Sequence, residues 1–165
     1  IKAALVEVDT GKQIAVTHEP EGEMGMISPK ASWAEQDPEV WWKLICLATK
    51  KLLKQTGIDS AKISGVGIAY QMHGLVVVDR NGAPLRNAII WCDSRAVAMG
   101  NEAFKALGTK KCKEHLLNSP ANFTASKLKW VRDNEPEVYD KVHKYMLPGD
   151  YIAYKFSGDI TTTVN

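Results

Sequence analysis

The stretch Ile1-Lys2-Ala3-Ala4-Leu5-Val6-Glu7-Val8-Asp9-Thr10-Gly11-Lys12-Gln13-Ile14-Ala15-Val16-Thr17 decides the fold class. Ile1 to Val8 is rich in residues that suit a strand. Asp9-Thr10-Gly11-Lys12 is a turn signal, because glycine accepts positive φ without steric cost. Gln13 to Thr17 then returns as the second strand of a hairpin. An antiparallel opening argues against a purely parallel dinucleotide-binding sheet. It points to a mixed sheet with helices packed on it.

The rest of the chain extends this pattern. Part of Glu19 to Lys30 is able to pair as a third strand. Asp37-Pro38 starts a helix, since Asp37 can accept free backbone N–H groups and Pro38 suits the first helical position. Trp41, Leu44, Ile45, Ala48 and Leu52 form a stripe of helical period, so a helix over Pro38–Gln55 is expected, stopped by Gly57. Ile63 to Tyr70 reads as a buried strand. Gln71-Met72-His73-Gly74 interrupts it, and Leu75 to Val78 resumes strand character. Asp79-Arg80-Asn81-Gly82 is a hairpin turn, and Leu85 to Trp91 contains another apolar run. Beyond Asp93 the periodicity becomes helical: Ser94–Leu107, Lys110–Leu117, Ala125–Asn134, Pro136–His143 and Asp150–Phe156, with a short strand at Lys144–Leu147. Strands that come first and then alternate with helices give an α/β layer architecture.

The composition sets bounds on function. Hydrophobic residues make up 45% of the 165 and charged residues 24%, with a net charge of +2. That is ordinary for a globular domain with a real core. The charge is too small to steer the chain toward nucleic acid, and no apolar run approaches the roughly 18 residues of a membrane span. Cys46, Cys92 and Cys112 are widely separated, which suits neither a disulfide framework nor a zinc site. A reducing cytoplasm and no signal peptide are expected. Neither G-x-G-x-x-G nor G-x-x-x-x-G-K-[ST] occurs, so both common phosphate loops are missing.

Three segments can carry chemistry. Gln71-Met72-His73-Gly74 sets polar groups where a strand stops, a place where α/β sheets often hold a site. A neutral histidine has one donor and one acceptor, which suits a sugar hydroxyl; a satisfied structural histidine is the competing reading. Trp91-Cys92-Asp93-Ser94-Arg95 offers an aromatic face for the C–H side of a polyol, with Asp93 and Arg95 for its hydroxyls. The competing reading is a core tryptophan with a surface Asp–Arg pair, Asp93 also being able to cap the next helix. Ser32-Trp33-Ala34-Glu35-Gln36-Asp37-Pro38 reads mainly as an anchor into a helix. His18, His115 and His143 are expected to be exposed or structural, and no nucleophile–histidine constellation assembles.

Taken together, these segments resemble the FGGY carbohydrate kinases. Ser32-Trp33-Ala34-Glu35-Gln36-Asp37-Pro38-Glu39-Val40-Trp41-Trp42 is similar to their W-x-E-Q-D-P-x-x-W-W signature. Gln71-Met72-His73-Gly74 resembles the Q-M-H-G of the xylulose kinases, where glycerol kinases carry charged Arg and Glu. Ala88 to Arg95 resembles I-L-W-x-D-x-R, and Phe123 to Trp130 resembles F-T-A-x-K-L-x-W. Asn134-Glu135-Pro136-Glu137 and Leu147-Pro148-Gly149-Asp150-Tyr151 match the family's E-P-E and L-P-x-D-Y. Six matches in family order are far more specific than any one of them.

The resemblance implies an actin-like, ribonuclease-H-like ATPase fold: a mixed sheet with flanking helices, residues 1–165 forming part of one sugar-binding N-terminal domain. It implies phosphorylation of D-xylulose by ATP with Mg²⁺, with kinases of ribulose, gluconate, rhamnulose or glycerol as alternatives within the family. A non-catalytic sugar- or protein-binding domain is the alternative outside it. Met72 and His73 are implied as sugar contacts, with Gln71 beside them, Trp91 packing on the polyol, and Asp93 and Arg95 as further candidates. Lys2 resembles the basic position that ends the first phosphate motif and approaches ATP. No catalytic or metal-ligating residue is expected within the chain. The D-x-G-T motif is expected before Ile1, and the catalytic aspartate and ATP domain beyond Asn165, so the segment is expected not to catalyse alone. Thr161 to Asn165 only loosely resembles T-x-Y-S-x-A-S, and nothing is carried over there. The expected partner is a small sugar, with neither nucleic acid nor membrane, and a homodimer is a candidate assembly.

Overall fold

A computed structural model describes residues 1–162; Thr163 to Asn165, the end of the β-prone C-terminal run, lie outside the described residues. The described residues gather into two compact units, one of residues 1–25 and 39–68, the other of 26–38 and 69 onward.

In the first unit, β1 (Lys2–Val6) pairs antiparallel with β2 (Gln13–His18), Lys2 opposite His18 and Leu5 opposite Ala15. The turn closes as the sequence demands. Gly11 takes φ +68° and donates to the carbonyl of Glu7 at 2.9 Å. α1 spans Pro38–Thr56. Trp41, Ala48 and Leu52 bury one face of it, and Thr17 Oγ1 of β2 donates to the Ala48 carbonyl at 2.9 Å. Gly57, with φ +66°, ends the helix.

The expected buried strand over Ile63–Tyr70 does not form. The segment joins no β-ladder, and Ile63, Val66 and Tyr70 are exposed. A strand needs a neighbour for its N–H and C=O groups, and no strand among the described residues runs beside this one. A short 3₁₀ turn at Ser60–Lys62, capped by the Asp59 carboxylate on the Ala61 N–H, leads into it.

The second unit contains β3 (Glu35–Gln36), β4 (Val76–Val78), β5 (Ala88–Ile89) and β6 (Lys144–Met146). β3 pairs with β5 and β4 with β6, and a bridge from Leu75 to Ile89 joins the two pairs; every one of these pairings is antiparallel. Its helices are α2 (Val97–Leu107), α3 (Thr109–Leu116), α4 (Thr124–Asn134), α5 (Pro136–Tyr139) and α6 (Pro148–Ser157). α5 is shorter than the expected Pro136–His143. The His143 N–H is drawn to the Val78 carbonyl at 2.8 Å, so the chain must leave the helix to enter β6. The third strand suggested within Glu19–Lys30 is reduced to one bridge, Ile27 to Glu35. Leu75, Val77, Ile89, Ala96, Trp130 and Val131 form the core of this unit. Each buried Leu, Val or Ile among them contributes roughly 1.5–3 kcal/mol by leaving water.

An ionic network runs through that core. The Asp93 carboxylate, fully buried, accepts from Arg95 Nε at 2.9 Å and Nη2 at 2.7 Å, from the Arg95 N–H, and from the Ala34 N–H. The Arg95 guanidinium lies 3.8 Å from the Trp33 ring centroid and 4.9 Å from that of Trp130. Its Nη1 is 2.8 Å from Glu35 Oε1 but off the N–H axis, an ionic contact rather than a hydrogen bond. Arg86 links Glu35 to Glu135, 2.9 Å from its Nε.

Two consequences can be measured by urea denaturation. Removing one partner of a buried pair strands the other charge, so Asp93→Ala should lose about 3–5 kcal/mol; a loss below about 1 kcal/mol, the worth of an exposed pair, would contradict a buried role. Gly100 on α2 faces the next segment so closely that a Cβ would lie 2.3 Å from Ala121 Cα and 2.5 Å from the Pro120 carbonyl oxygen. Gly100→Ala should therefore destabilise by about 1–3 kcal/mol, despite alanine's better helix propensity.

Candidate sugar-binding site

The site begins at the break before β4. Gly74 is buried, and a side chain there would strike Pro148 Cγ at 2.5 Å. The chain therefore reverses just ahead of it, and His73 takes left-handed backbone angles, with φ +63°. For a residue bearing a Cβ this costs on the order of 1 kcal/mol and needs outside support. Support comes from Lys127 on α4, whose Nζ donates to the His73 carbonyl at 2.8 Å. The imidazole stacks on Phe123, with centroids 4.5 Å apart and planes 15° apart.

His73 lines a cleft of about 540 Å³ together with Phe123, Thr124, Tyr145, Asp150 and Thr162. The Asp150 carboxylate at the start of α6 accepts from the Leu147 N–H at 3.2 Å and from Thr162 Oγ1 at 3.0 Å. Burial, and secondarily the Lys127 charge, hold the His73 imidazole below its ordinary value of 6.5. It is therefore neutral at neutral pH, one nitrogen donating and the other accepting, the pairing a hydroxyl needs. Burial pushes Lys127 down to about 8, against the opposing pull of Asp93 and Cys92, while the Arg95 charge adds to the lowering.

The other expected site residues fall in different places. The Gln71 amide oxygen accepts from the Trp91 N–H at 3.1 Å, which ties the Q-M-H-G turn to the Trp91 turn. Met72 and Trp91 are 66% and 57% exposed, large apolar side chains facing solvent, and they stand outside the lining of the cleft. Asp93 and Arg95 are occupied by the core network, the Arg95 side chain being 1% exposed. The surface pair considered for them does not match that position. Lys2 is exposed on β1 in the other unit. His18, His115 and His143 are exposed. A second hollow, about 280 Å³, lies in the first unit beside Thr17, Glu21 and Lys51; Lys51 is already engaged by Glu19 at 3.1 Å.

Sequence reading gave no role to Phe123, Thr124, Asn122, Lys127 or Asp150. The F-T-A-x-K and L-P-x-D-Y segments contain four of these five, but spacing alone does not say which of them turn toward His73. Among the described residues no group of three or more His, Cys, Asp or Glu side chains is placed to hold a metal ion. No helix among them is long and apolar enough to cross a membrane. Cys46, Cys92 and Cys112 are free thiols.

Known proteins resemble this chain along most of its length. Residues 1–165 match the N-terminal domain of the FGGY family of carbohydrate kinases. A xylulose kinase of Staphylococcus xylosus is 36% identical over 135 residues, covering 81% of this chain and 28% of that protein. One from Streptomyces rubiginosus is 32% identical over 163 residues, 98% of this chain and 32% of that protein. The chain thus spans about a third or less of the length of these relatives. The crystal structure of a xyloylose kinase from Brucella ovis superposes with a TM-score of 0.82 at 30% identity, covering 93% of this chain and 31% of that one. A Plasmodium falciparum glycerol kinase with ADP, 22% identical over 89% of this chain and 30% of its own, shares the fold with a TM-score of 0.72. With the actin-like α/β fold and the ordered motifs both present, the chain belongs to the FGGY family of carbohydrate kinases, whose N-terminal domain it matches.

Proposed function

We propose that the protein carrying this chain phosphorylates D-xylulose at its 5-hydroxyl with ATP and Mg²⁺, and that this chain holds the ketose. The observation that carries the reading is His73: a neutral imidazole, stacked on Phe123, held in a strained turn at the wall of a largely apolar cleft that also presents Thr124, Asp150 and Thr162. Relatives of that name and the Q-M-H-G sequence support it. His73 gives one hydrogen bond to a sugar hydroxyl and takes one. Met72, next to His73 in sequence, and Trp91, tied to the same turn through Gln71, supply exposed apolar surface for the C–H faces of the ketose. Gln71 keeps the Trp91 turn in register with His73 through the Trp91 N–H. Asp93 and Arg95 serve this site from beneath, fixing the backbone that presents Trp91.

ATP–Mg²⁺ supplies the phosphoryl group and neutralises its charge. Lys2 is the residue we assign toward the nucleotide. It stands exposed on a strand with neither common phosphate loop in the sequence, so no step is assigned through it. No described residue is given the part of the base. The reading places the working enzyme in the cytoplasm, consistent with three free thiols.

In the full-length protein, His73→Ala should lower kcat/KM for xylulose by roughly five- to 150-fold, the equivalent of about 1–3 kcal/mol for one such hydrogen bond. The KM for ATP should stay near its wild-type value. Xylulose kinetics that do not change would remove His73 from the site, and a fall in melting temperature alone would mark it as structural.

A second expectation concerns pH. The folded His73 titrates below its ordinary 6.5, so between those two values the unfolded chain binds more protons. Stability linked to His73 is thus complete above pH 6.5 and falls as pH drops through that window. NMR titration should give the lowered value, and His73→Gln should flatten that part of the stability profile. An imidazole titrating at or above 6.5 would contradict its burial.

A further inference from the structure

Lys127 is wholly buried, yet no step above uses its ammonium. Both of its hydrogen bonds described here go to main-chain carbonyls, His73 at 2.8 Å and Asn122 at 3.1 Å. Asn122 Nδ2 in turn donates to the Trp91 carbonyl, and the Trp91 N–H donates to Gln71 Oε1. Gln71 is two residues from His73. The links therefore close a ring: His73, Lys127, Asn122, Trp91, Gln71 and back along the chain. It joins three segments distant in sequence, the Q-M-H-G turn, the Trp91 turn and the entry to α4.

We infer that Lys127 is the positioning residue of the sugar site, its buried ammonium locking the His73 turn to the Trp91 turn so that imidazole and indole keep a fixed separation. The inference rests on the sugar-binding reading above and adds to it the residue that sets the geometry. An apolar side chain in this place would leave two partly buried carbonyls without this donor, so the burial of a lysine here answers to its donors rather than its volume. The charged groups beside the ammonium are Asp93, which favours its protonated form, and Arg95, which opposes it; the Cys92 thiol lies near as well. His73 itself feels the ammonium as a cation that disfavours a second charge.

Proton NMR of the protein tests this without any ligand. Lying parallel to Phe123, the His73 ring protons should resonate upfield of those of the exposed His18, His115 and His143. In Lys127→Met they should move to the positions of the exposed histidines, while resonances of Leu75 and Val131 in the core stay put. Lys127→Arg, which keeps a charged donor, should retain most of the upfield shift. A lysine that merely supports the fold would change the melting temperature and leave the His73 stack intact, so upfield resonances persisting in a folded Lys127→Met overturn the inference. If that variant does not fold, Lys127→Gln is read by the same criterion. Xylulose then separates the two proposals. Wild-type His73 resonances that ignore the sugar sink the sugar-site reading, while the ligand-free comparison still decides the role of Lys127. Where xylulose binds, Lys127→Met should weaken it by about tenfold or more, the usual effect of losing a charge-assisted hydrogen bond, and Lys127→Arg should recover most of it; an unchanged affinity in Lys127→Met overturns the inference.

Discussion

The guanidinium of Arg95, held between Trp33 and Trp130 and paired with Asp93, is where the second unit is organised. Four segments meet there: the Trp33–Glu35 stretch through Trp33, Glu35 and the Ala34 N–H, the Asp93–Arg95 loop, Arg86 before β5, and α4 through Trp130. A buried charge tolerates little displacement, because each ångström of separation forfeits Coulomb energy while its desolvation remains unrelieved. The network therefore works as a rigid joint. The Trp91 turn is set by its neighbour Asp93, and α4, fixed at Trp130, carries Lys127 and Phe123 toward His73. The cleft beside His73 is thus aimed by charges that are absent from its lining.

What was legible in the sequence was local. The Thr10-Gly11 turn, the Asp79 to Gly82 hairpin, the Gly57 helix end and the prolines opening α1 and α5 are all encoded within a few residues. What was not legible depended on partners far along the chain. Asp93 and Arg95 read as surface or polyol-binding groups because Trp33, Glu35 and Trp130 lie some 35 to 60 positions away, and the sequence does not reveal that an aromatic pair will close over the guanidinium. Ile63–Tyr70 has the composition of a buried strand, but composition cannot supply the neighbouring ladder that a strand requires. His73 was the middle case. Its place at a strand end beside glycine marked it, whereas its stack on Phe123 and its carbonyl bond to Lys127 required the fold.

The cleft combines strain and support in a way that suits polyol recognition. His73 stays in left-handed geometry because a lysine and a phenylalanine from α4 and its N-terminal edge hold both ends of the residue, the carbonyl and the ring. Such preorganisation holds the imidazole in place ahead of any ligand, so binding need not supply the ordering. It also makes the site dependent on α4 as a whole. The Gly100 contact with Pro120 and Ala121 belongs to the same chain of dependence, since it seats the segment from which Asn122 and Phe123 project.

The extended run Ile63-Ser64-Gly65-Val66-Gly67-Ile68-Ala69-Tyr70 has one more consequence. It carries eight uncharged residues and no proline, and its apolar side chains at 63 and 66 face water along a backbone that joins no ladder, while the Tyr70 ring lies against Gly149. The nearest charge on its N-terminal side is Lys62, and on its C-terminal side the chain runs through Gln71 and Met72 to a neutral His73. Open backbone hydrogen-bonding groups with no interior gatekeeper form a template onto which any extended chain can add a strand. Handled by itself at high concentration, this polypeptide should therefore self-associate through that segment, and the colloidal behaviour of its solutions will depend on eight residues outside every β-ladder described.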